Sequence, residues 1–202
     1  MQAGLPGELH LPEPRLAREQ GRASCQIRAI ARVTEMTSFS NQVCQTLHEE
    51  HATNIALLER LERLISHHGR TQPSNTDPAV RQLLSELRSG MASETKRHFD
   101  FEENELFPYL EPIGESAIGA HLADEHAVLR PLIRQLAEIA QAVSERGFDA
   151  ATWDEFRRVG MELCERLSAH IQKEELSLLP LIEEAMDSEA ELRLYQEYLE
   201  NA

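Results

Sequence analysis

The sequence predicts an all-α protein that folds as an up-down-up-down antiparallel four-helix bundle. The chain of 202 residues holds only nine glycines and nine prolines, and these are clustered between long segments. In four segments of roughly 30 residues, apolar side chains recur at steps of three, four or seven, which places them on one helix face. No strand-like alternation competes with this pattern. Helices of this length, each about 45 Å long, form such a bundle when short loops join them.

The first 35 residues differ in sequence pattern from the rest of the chain. They show no sustained apolar period and contain three prolines, Pro6, Pro12 and Pro14. We therefore expect residues 1–35 to form a loose, flexible arm, with a short helix around Cys25–Thr34. The bundle itself is predicted over residues 36–186.

The first two long helices are predicted over residues 38–68 and 77–106. A polar, proline-containing loop separates them. The second helix begins at Asp77 and Pro78, an N-cap acid followed by a proline in the first turn. Pro108 ends or kinks this helix because proline lacks the N–H that a helix requires.

The third and fourth long helices are predicted over residues 116–145 and 150–186. Pro131 lies inside the third helix and should bend it. Gly147 stops the third helix, and Asp149 is a suitable N-cap for the fourth.

A short fifth segment, residues 188–199, follows the predicted bundle. It is polar all round except for Leu192, Leu194, Tyr195 and Leu199. We expect residues 187–202 to form a short C-terminal helix that packs on the outside of the bundle or frays. An exposed apolar strip on this helix would support a homodimer.

Charge and cysteine content exclude several classes of function. Asp and Glu total 35 against 20 Lys and Arg, a formal net charge of −15, which disfavours binding to nucleic acid or to an anionic membrane. No run of about 18 uncharged apolar residues indicates a membrane span, and the N-terminus lacks the apolar core of a secretory signal. The three cysteines, Cys25, Cys44 and Cys164, are scattered and form no CxxC pair. We therefore expect a cytoplasmic protein without a disulfide framework.

Polar residues occupy core positions in all four predicted helices. One histidine lies on each apolar stripe: His51, His98, His126 and His170. The second and fourth stripes also carry Glu102 and Glu174. An ionised glutamate in an apolar core is costly unless it is paired or bound to a metal. Two such glutamates in one bundle need a common explanation.

The pattern is repeated within the chain. The segment LHEEH that ends at His51 resembles LADEH, which ends at His126. The segment HFDFEENELFPYLE from His98 resembles HIQKEELSLLPLIE from His170, and the two offsets are 75 and 72 residues. The repeat therefore predicts two helical hairpins related by a pseudo-two-fold axis. Such a symmetry suits a pair of metal ions.

The spacing of these residues supports a metal site. His98 with Glu102, and His170 with Glu174, stand at i and i+4 on one helix face. Imidazole combined with carboxylate suits iron, manganese or zinc, whereas calcium and magnesium prefer oxygen ligands alone. Carboxylates often bridge two ions about 3.5–4 Å apart.

The next acids along the second and fourth helices, Glu103 and Glu175, should point away from this site. They are then either solvated acids or outer partners of the ligands. Two histidines and two shared carboxylates for each ion would leave room for an exchangeable small ligand.

With these motifs, residues 40–184 resemble the hemerythrin-like (HHE cation-binding) family. The resemblance rests on EEH or DEH in the first and third helices, and on HxxxEE followed by an LFP-type turn in the second and fourth. It implies a non-haem centre of two iron ions, with an oxo or hydroxo bridge possible. The ligands implied by residue match are His51, His98, Glu102, His126, His170 and Glu174.

The sequence departs from the invertebrate oxygen carriers of that family. In the third helix those carriers have HxxxH, whereas here His121 stands five residues before His126. In the fourth helix this chain carries HxxxE in place of HxxxxD. The pattern is more similar to the bacterial branch with four histidines and two bridging glutamates. That branch includes iron–sulfur-centre repair proteins with paired N-terminal cysteines, whereas Cys25 stands alone. His48 and His121 are further candidate ligands, and His48 could instead be a hydrogen-bond donor to a ligand.

The resemblance leads to a functional hypothesis and leaves alternatives open. The first is a di-iron protein that binds O2 or nitric oxide for sensing, carriage or detoxification. The second is an enzyme of nitric oxide reduction, peroxide decomposition or iron–sulfur-centre repair, so whether there is turnover stays open. A ferritin-like site ranks lower, because it uses ExxH pairs rather than HxxxE. A metal-free bundle, in which the inner His and Glu pair with one another, is the remaining alternative.

Overall fold

The computed structural model describes the backbone of residues 14–200 and the side chains of this range except those of residues 14–24 and 92. Within this part the chain forms helices and no strand, so the prediction of an all-α protein is confirmed. Six helical elements follow one another: α1 Pro14–Met36, α2 Gln42–His68, α3 from Pro78 to Leu110, α4 Ser116–Arg146, α5 from Ala150 to Ala185 and α6 Ser188–Glu200. They pack as a helical bundle, and the up-and-down order of its four main helices stays a prediction. None of the described helices combines the length and apolar character of a membrane span.

Helices α3 and α5 contain π-helical turns, which the apolar periodicity of the sequence does not predict. Helix α3 consists of α-helical Pro78–Glu86, π-helical Leu87–Met91, α-helical Ala92–Phe101, π-helical Glu102–Leu106 and α-helical Phe107–Leu110. Helix α5 consists of α-helical Ala150–Lys173, π-helical Glu174–Leu178 and α-helical Leu179–Ala185. Such turns are rare and are frequent at functional sites.

A proline explains the two π-helical turns that begin at Glu102 and Glu174. Pro108 and Pro180 each lie six residues after one of these glutamates. Proline has no N–H to donate and crowds the carbonyl four residues earlier, so the helix widens by one residue before it. Pro108 therefore does not end α3, which continues to Leu110. It is instead accompanied by a local change of the backbone to a π-helical turn.

The helix ends agree closely with the predicted signals. The Asp77 side chain accepts hydrogen bonds from the backbone at the start of α3, and Asp149 forms a capping box with Thr152 at the start of α5. Gly147 ends α4 with a positive φ of 81°, a conformation that glycine adopts without strain. Helix α2 begins four residues later than predicted because Asn41 caps it through Val43 N and Cys44 N.

Helix α1 is a correction to the expectation of a loose N-terminal arm. Residues 14–36 form one helix, longer than the short helix expected near residues 25–34, and it packs against α2 and α5. Ile27 and Ile30 are fully buried and belong to the main apolar core. Residues 1–13 lie outside the described residues, and the domain boundary at residue 36 stays a prediction.

The C-terminal helix α6 packs on the outside of the bundle. It contacts α2 and the second π-helical turn of α3. Leu194 and Tyr198 are buried in this contact, whereas Leu192 and Leu199 remain more than half exposed. The predicted fifth segment therefore exists and is anchored by Tyr198, a residue that the sequence analysis does not single out.

The apolar core is divided into two clusters by a polar layer. Along α2, Leu47 belongs to one cluster and Ile55 to the other, and the buried His51 lies between them. The same alternation places His126 between Leu122 and Leu129 in α4. The histidines and glutamates on the inner stripes are therefore enclosed by hydrocarbon on both sides along the bundle axis.

The packing of α1 can be tested with Ile30→Ala. Truncating a fully buried isoleucine should lower the free energy of unfolding by about 2–5 kcal/mol, because apolar contacts are lost and a cavity remains. Met36→Ala on the same helix is the matched control, since Met36 is 87% exposed and should change stability by no more than about 0.5 kcal/mol. Urea unfolding of both variants measures this, and equal effects would contradict the docked position of α1.

Candidate metal centre

The structure brings together all six residues that the resemblance implies as ligands. They are almost completely buried, with 0–3% of their surface exposed: His51, His98, Glu102, His126, His170 and Glu174. Their nitrogen and oxygen atoms form two groups, each of which could hold a metal ion. The groups are His51, His98 and Glu174, and Glu102, His126, His170 and Glu174. Because Glu174 occurs in both groups, the two candidate positions are adjacent.

Glu174 faces both halves of the centre through its two oxygens. Oε2 lies 2.9 Å from Nε2 of His51, and Oε1 lies 2.9 Å from Nε2 of His170. The π-helical turn that begins at Glu174 presents this carboxylate from α5 toward α2. The arrangement is that of a carboxylate able to bridge two ions.

Glu102 has the corresponding position on α3. Its Oε1 lies 3.5 Å from Nε2 of His98, and its Oε2 lies 3.3 Å from Nε2 of His126. Each half of the centre therefore contains two imidazoles and receives one oxygen from each glutamate. This matches the pseudo-two-fold symmetry inferred from the sequence repeat.

The imidazole nitrogens at the centre face each other in pairs. Nε2 of His126 lies 3.1 Å from Nε2 of His170, and Nε2 of His51 lies 3.3 Å from Nε2 of His98. Two neutral rings with both lone pairs directed at this gap would repel each other. Such a gap requires a proton or a cation.

Four acids outside the centre determine which nitrogen of each ring points inward. Each histidine has Nδ1 within hydrogen-bond distance of one carboxylate: His51 with Glu175 at 2.7 Å, His98 with Glu50 at 2.7 Å, His126 with Glu103 at 2.8 Å and His170 with Glu125 at 3.1 Å. An Nδ1–H that donates to a carboxylate fixes the tautomer and leaves Nε2 as the inward lone pair. This arrangement is typical of metal-ligating histidines.

Two of these outer acids were predicted only in part, and two were missed. Glu103 and Glu175 do point away from the centre as partners of histidines, and Glu175 is buried rather than solvated. Glu50 and Glu125 were not recognised. The available signal was their shared position directly before His51 and His126 in the EEH and DEH motifs.

Two of the outer acids, Glu50 and Glu125, have lowered pKa values and remain ionised. Burial raises the pKa of Glu50, but hydrogen bonding from His98 and the charge of that ring outweigh it and lower the pKa to about 2. The hydrogen bond from His170 lowers the pKa of Glu125 to about 2 despite partial burial. Burial of His170 opposes its protonation, yet the Glu174 charge and the Glu125 contact raise its pKa to about 9. An incoming metal ion would therefore displace protons from the imidazoles.

The inner glutamates show the strongest need for a cation. Within the part of the chain that the structure describes, neither oxygen of Glu102 or of Glu174 has a hydrogen-bond partner. The short distances to the imidazoles do not have the geometry of hydrogen bonds. Buried carboxylates in this state are costly unless a metal or a proton compensates them. A set of imidazole nitrogens and carboxylate oxygens suits iron, manganese or zinc.

The structure does not bring His48 or His121 to the centre. Nδ1 of His48 lies 3.0 Å from Glu175, so this histidine shares an outer acid with His51. The His121 side chain is 60% exposed and lies 3.6 Å from Glu125. Of the two readings of His48, the structure favours that of an outer hydrogen-bond partner.

The C-terminal helix is connected to the centre through Glu50. The Tyr198 hydroxyl and the Arg97 guanidinium both donate to Glu50, which also accepts from His98. The Arg97 guanidinium also stacks over the Tyr198 ring, 5.3 Å from its centroid. Helix α6 therefore helps to orient a histidine of the centre from 100 residues further along the chain.

Aromatic rings form an apolar wall beside the second half of the centre. Phe99 stacks on His126 with ring centroids 3.7 Å apart and lies edge-on to His170 at 5.5 Å. Phe107 stacks against His126 at 5.8 Å. These rings limit the motion of the imidazoles and exclude water from this side.

Fold and site together define a helical-bundle protein with a buried His/Glu centre of the kind that holds metal ions. Residues 42–182 match the hemerythrin HHE cation binding domain, which covers more than half of the chain and runs from the start of α2 into the last part of α5. The chain therefore belongs to this family. Among curated proteins, none gives a significant match.

The role of the outer acids can be tested with Glu50→Gln. The amide keeps the shape but loses the charge that holds His98, so metal affinity should fall by about 10–100-fold. Glu49→Gln is the matched control, because Glu49 is the exposed neighbour on the same helix and should leave affinity unchanged. Competition with a chelator measures both, and equal affinities would contradict a role for Glu50.

Proposed function

We propose that this protein holds two iron ions between the four main helices and binds O2 or nitric oxide there, for sensing, carriage or detoxification. The proposed ligands are the six inner residues, in an up-and-down bundle. The observation that carries the proposal is the pair of buried glutamates with unpartnered oxygens, each facing imidazoles of both halves. The family supports a metal-binding role in general.

The symmetry of the centre supports two ions rather than one. One half offers the Nε2 atoms of His51 and His98, and the other offers those of His126 and His170. Each inner carboxylate gives one oxygen to each half. Two nitrogens and two oxygens for each ion would leave coordination positions free for a small ligand.

The surroundings of the centre favour a small neutral ligand over a charged or bulky one. Apolar clusters enclose the polar layer on both sides, and the inner residues are almost completely buried. A diatomic gas can diffuse through packed hydrocarbon, whereas an ion would lose its hydration there. Bound iron would supply the redox capacity and the open coordination that such a gas requires.

The ligand assignment can be tested with Glu102→Gln after anaerobic loading with ferrous iron. The wild-type chain should retain two iron ions, and the variant should retain clearly fewer, because a neutral amide bridges two cations poorly. Glu105→Gln, on the same π-helical turn but outside both metal groups, should retain two. If metal content in Glu102→Gln equals that of the wild type, the inner His and Glu pair with one another and the proposal fails.

Gas binding can be tested by absorption spectroscopy. Anaerobic protein loaded with two ferrous ions should develop new absorption bands on exposure to O2 or to nitric oxide. The zinc-loaded protein is the control, since zinc has no redox chemistry, and its spectrum should not change. The absence of any spectral change with either gas in the iron protein would contradict gas binding.

A further inference from the structure

A cavity of about 640 Å3 lies between α3 and α4, outside the metal centre. Arg88, Thr95 and Phe99 line it from α3, and Arg130, Ile133 and Arg134 line it from α4. Its volume lies within the range of small-molecule sites, about 300–1,000 Å3. None of its residues belongs to the six inner residues of the centre.

The charge of this cavity is opposite to that of the chain. Four cationic side chains, Arg88, Lys96, Arg130 and Arg134, line it with a single carboxylate, Glu138, in a protein with a net charge of −15. This concentration of positive charge makes an anionic ligand the best match.

The four cationic side chains of the cavity differ in whether they form ion pairs. Lys96 forms an ion pair with Asp100, and Arg130 contacts both Asp100 and Glu103. Arg88 and Arg134 are exposed and form no ion pair with any described residue. These two guanidinium groups are therefore available for a ligand, and their planar donors suit a carboxylate.

The cavity also contains a buried hydroxyl without a partner. Thr95 is 2% exposed, and its Oγ1 has no hydrogen-bond partner within residues that the structure describes. A buried donor left in this state is destabilising. A polar atom of a ligand, or a water molecule held with it, would satisfy this hydroxyl.

The remaining surface of the cavity is mainly apolar. Phe99 and Ile133 line it from buried positions, and half-buried Ala137 and the methylene groups of the cationic side chains add hydrocarbon nearer the surface. A small inorganic anion would leave this surface exposed to water, whereas a molecule with an apolar body would cover it. The cavity thus combines cationic side chains with an apolar lining.

We infer that this cavity binds an amphipathic carboxylate, a molecule with one carboxylate group on an aliphatic or aromatic body. Its carboxylate pairs with Arg88 and Arg134, and its body packs on Phe99 and Ile133. This inference does not depend on the proposed metal or gas, because none of the cavity residues is a proposed metal ligand, although Phe99 also stacks on His126 at the border of the centre.

Titration calorimetry of the 202-residue chain with decanoate tests this inference. Decanoate should bind saturably, whereas decanol and decylamine, which have the same body without the negative charge, should bind about tenfold more weakly or not at all. The absence of saturable decanoate binding, or equal binding of decanol, would overturn the proposal.

Variants then locate the binding site. The double variant Arg88→Gln/Arg134→Gln should weaken decanoate binding by about tenfold or more. Arg81→Gln/Arg146→Gln, which removes two exposed arginines outside the cavity, should bind like the wild type. Equal weakening by both double variants would show a general charge effect and overturn the proposal.

A third variant tests the apolar lining without a change in charge. In Ala137→Trp, the indole should fill the cavity from the half-buried position of Ala137 on α4 and abolish decanoate binding. Circular dichroism spectra should show that the helical fold is retained. Wild-type affinity in this folded variant would place decanoate elsewhere and contradict the inference.

Discussion

The rest of this structure depends on two carboxylates that are enclosed by hydrocarbon. Glu102 and Glu174 are fully buried between two apolar clusters, and no described group donates a hydrogen bond to either. Their charge must be compensated from within the same layer, because water is excluded and an unpaired buried carboxylate is costly. Four imidazoles surround them, and their inward nitrogens add to the demand for positive charge. A fold that accepts this arrangement is organised around a cation.

The outer acids orient the four imidazoles symmetrically. Each imidazole has its Nδ1 within hydrogen-bond distance of an outer carboxylate, so its orientation does not depend on packing alone. Glu103 and Glu175 reach across from one hairpin to a histidine of the other, whereas Glu50 and Glu125 act within their own hairpins. The sequence repeat therefore has a counterpart in the structure. Each half of the bundle orients one histidine of the other half.

The sequence allowed the helices and the six inner residues to be predicted, because helical periodicity determines which side chains face inward. It did not reveal partners whose role depends on a neighbouring helix. Glu50 lies about 100° from His51 on α2, so the periodicity alone indicates a surface acid. Its partners come from α3 and α6. The full length and the docking of helix α1 were missed because Ile27 and Ile30 form a short stripe among arginines and become core only against α2 and α5. The π-helical turns leave no periodic signal, although Pro108 and Pro180 mark the positions where the backbone must widen.

The contact between Tyr198 and Glu50 bears on how such domains are delimited. The match to the family ends at residue 182, and all six inner residues lie before that point. Yet the hydroxyl that holds the partner of His98 is supplied by residue 198, on a helix that the family definition does not include. The set of residues that orients the histidines of this chain therefore extends beyond the segment that matches the family. Helix α6 therefore offers a position from which the orientation of His98 can be adjusted without a change in any of the six inner residues.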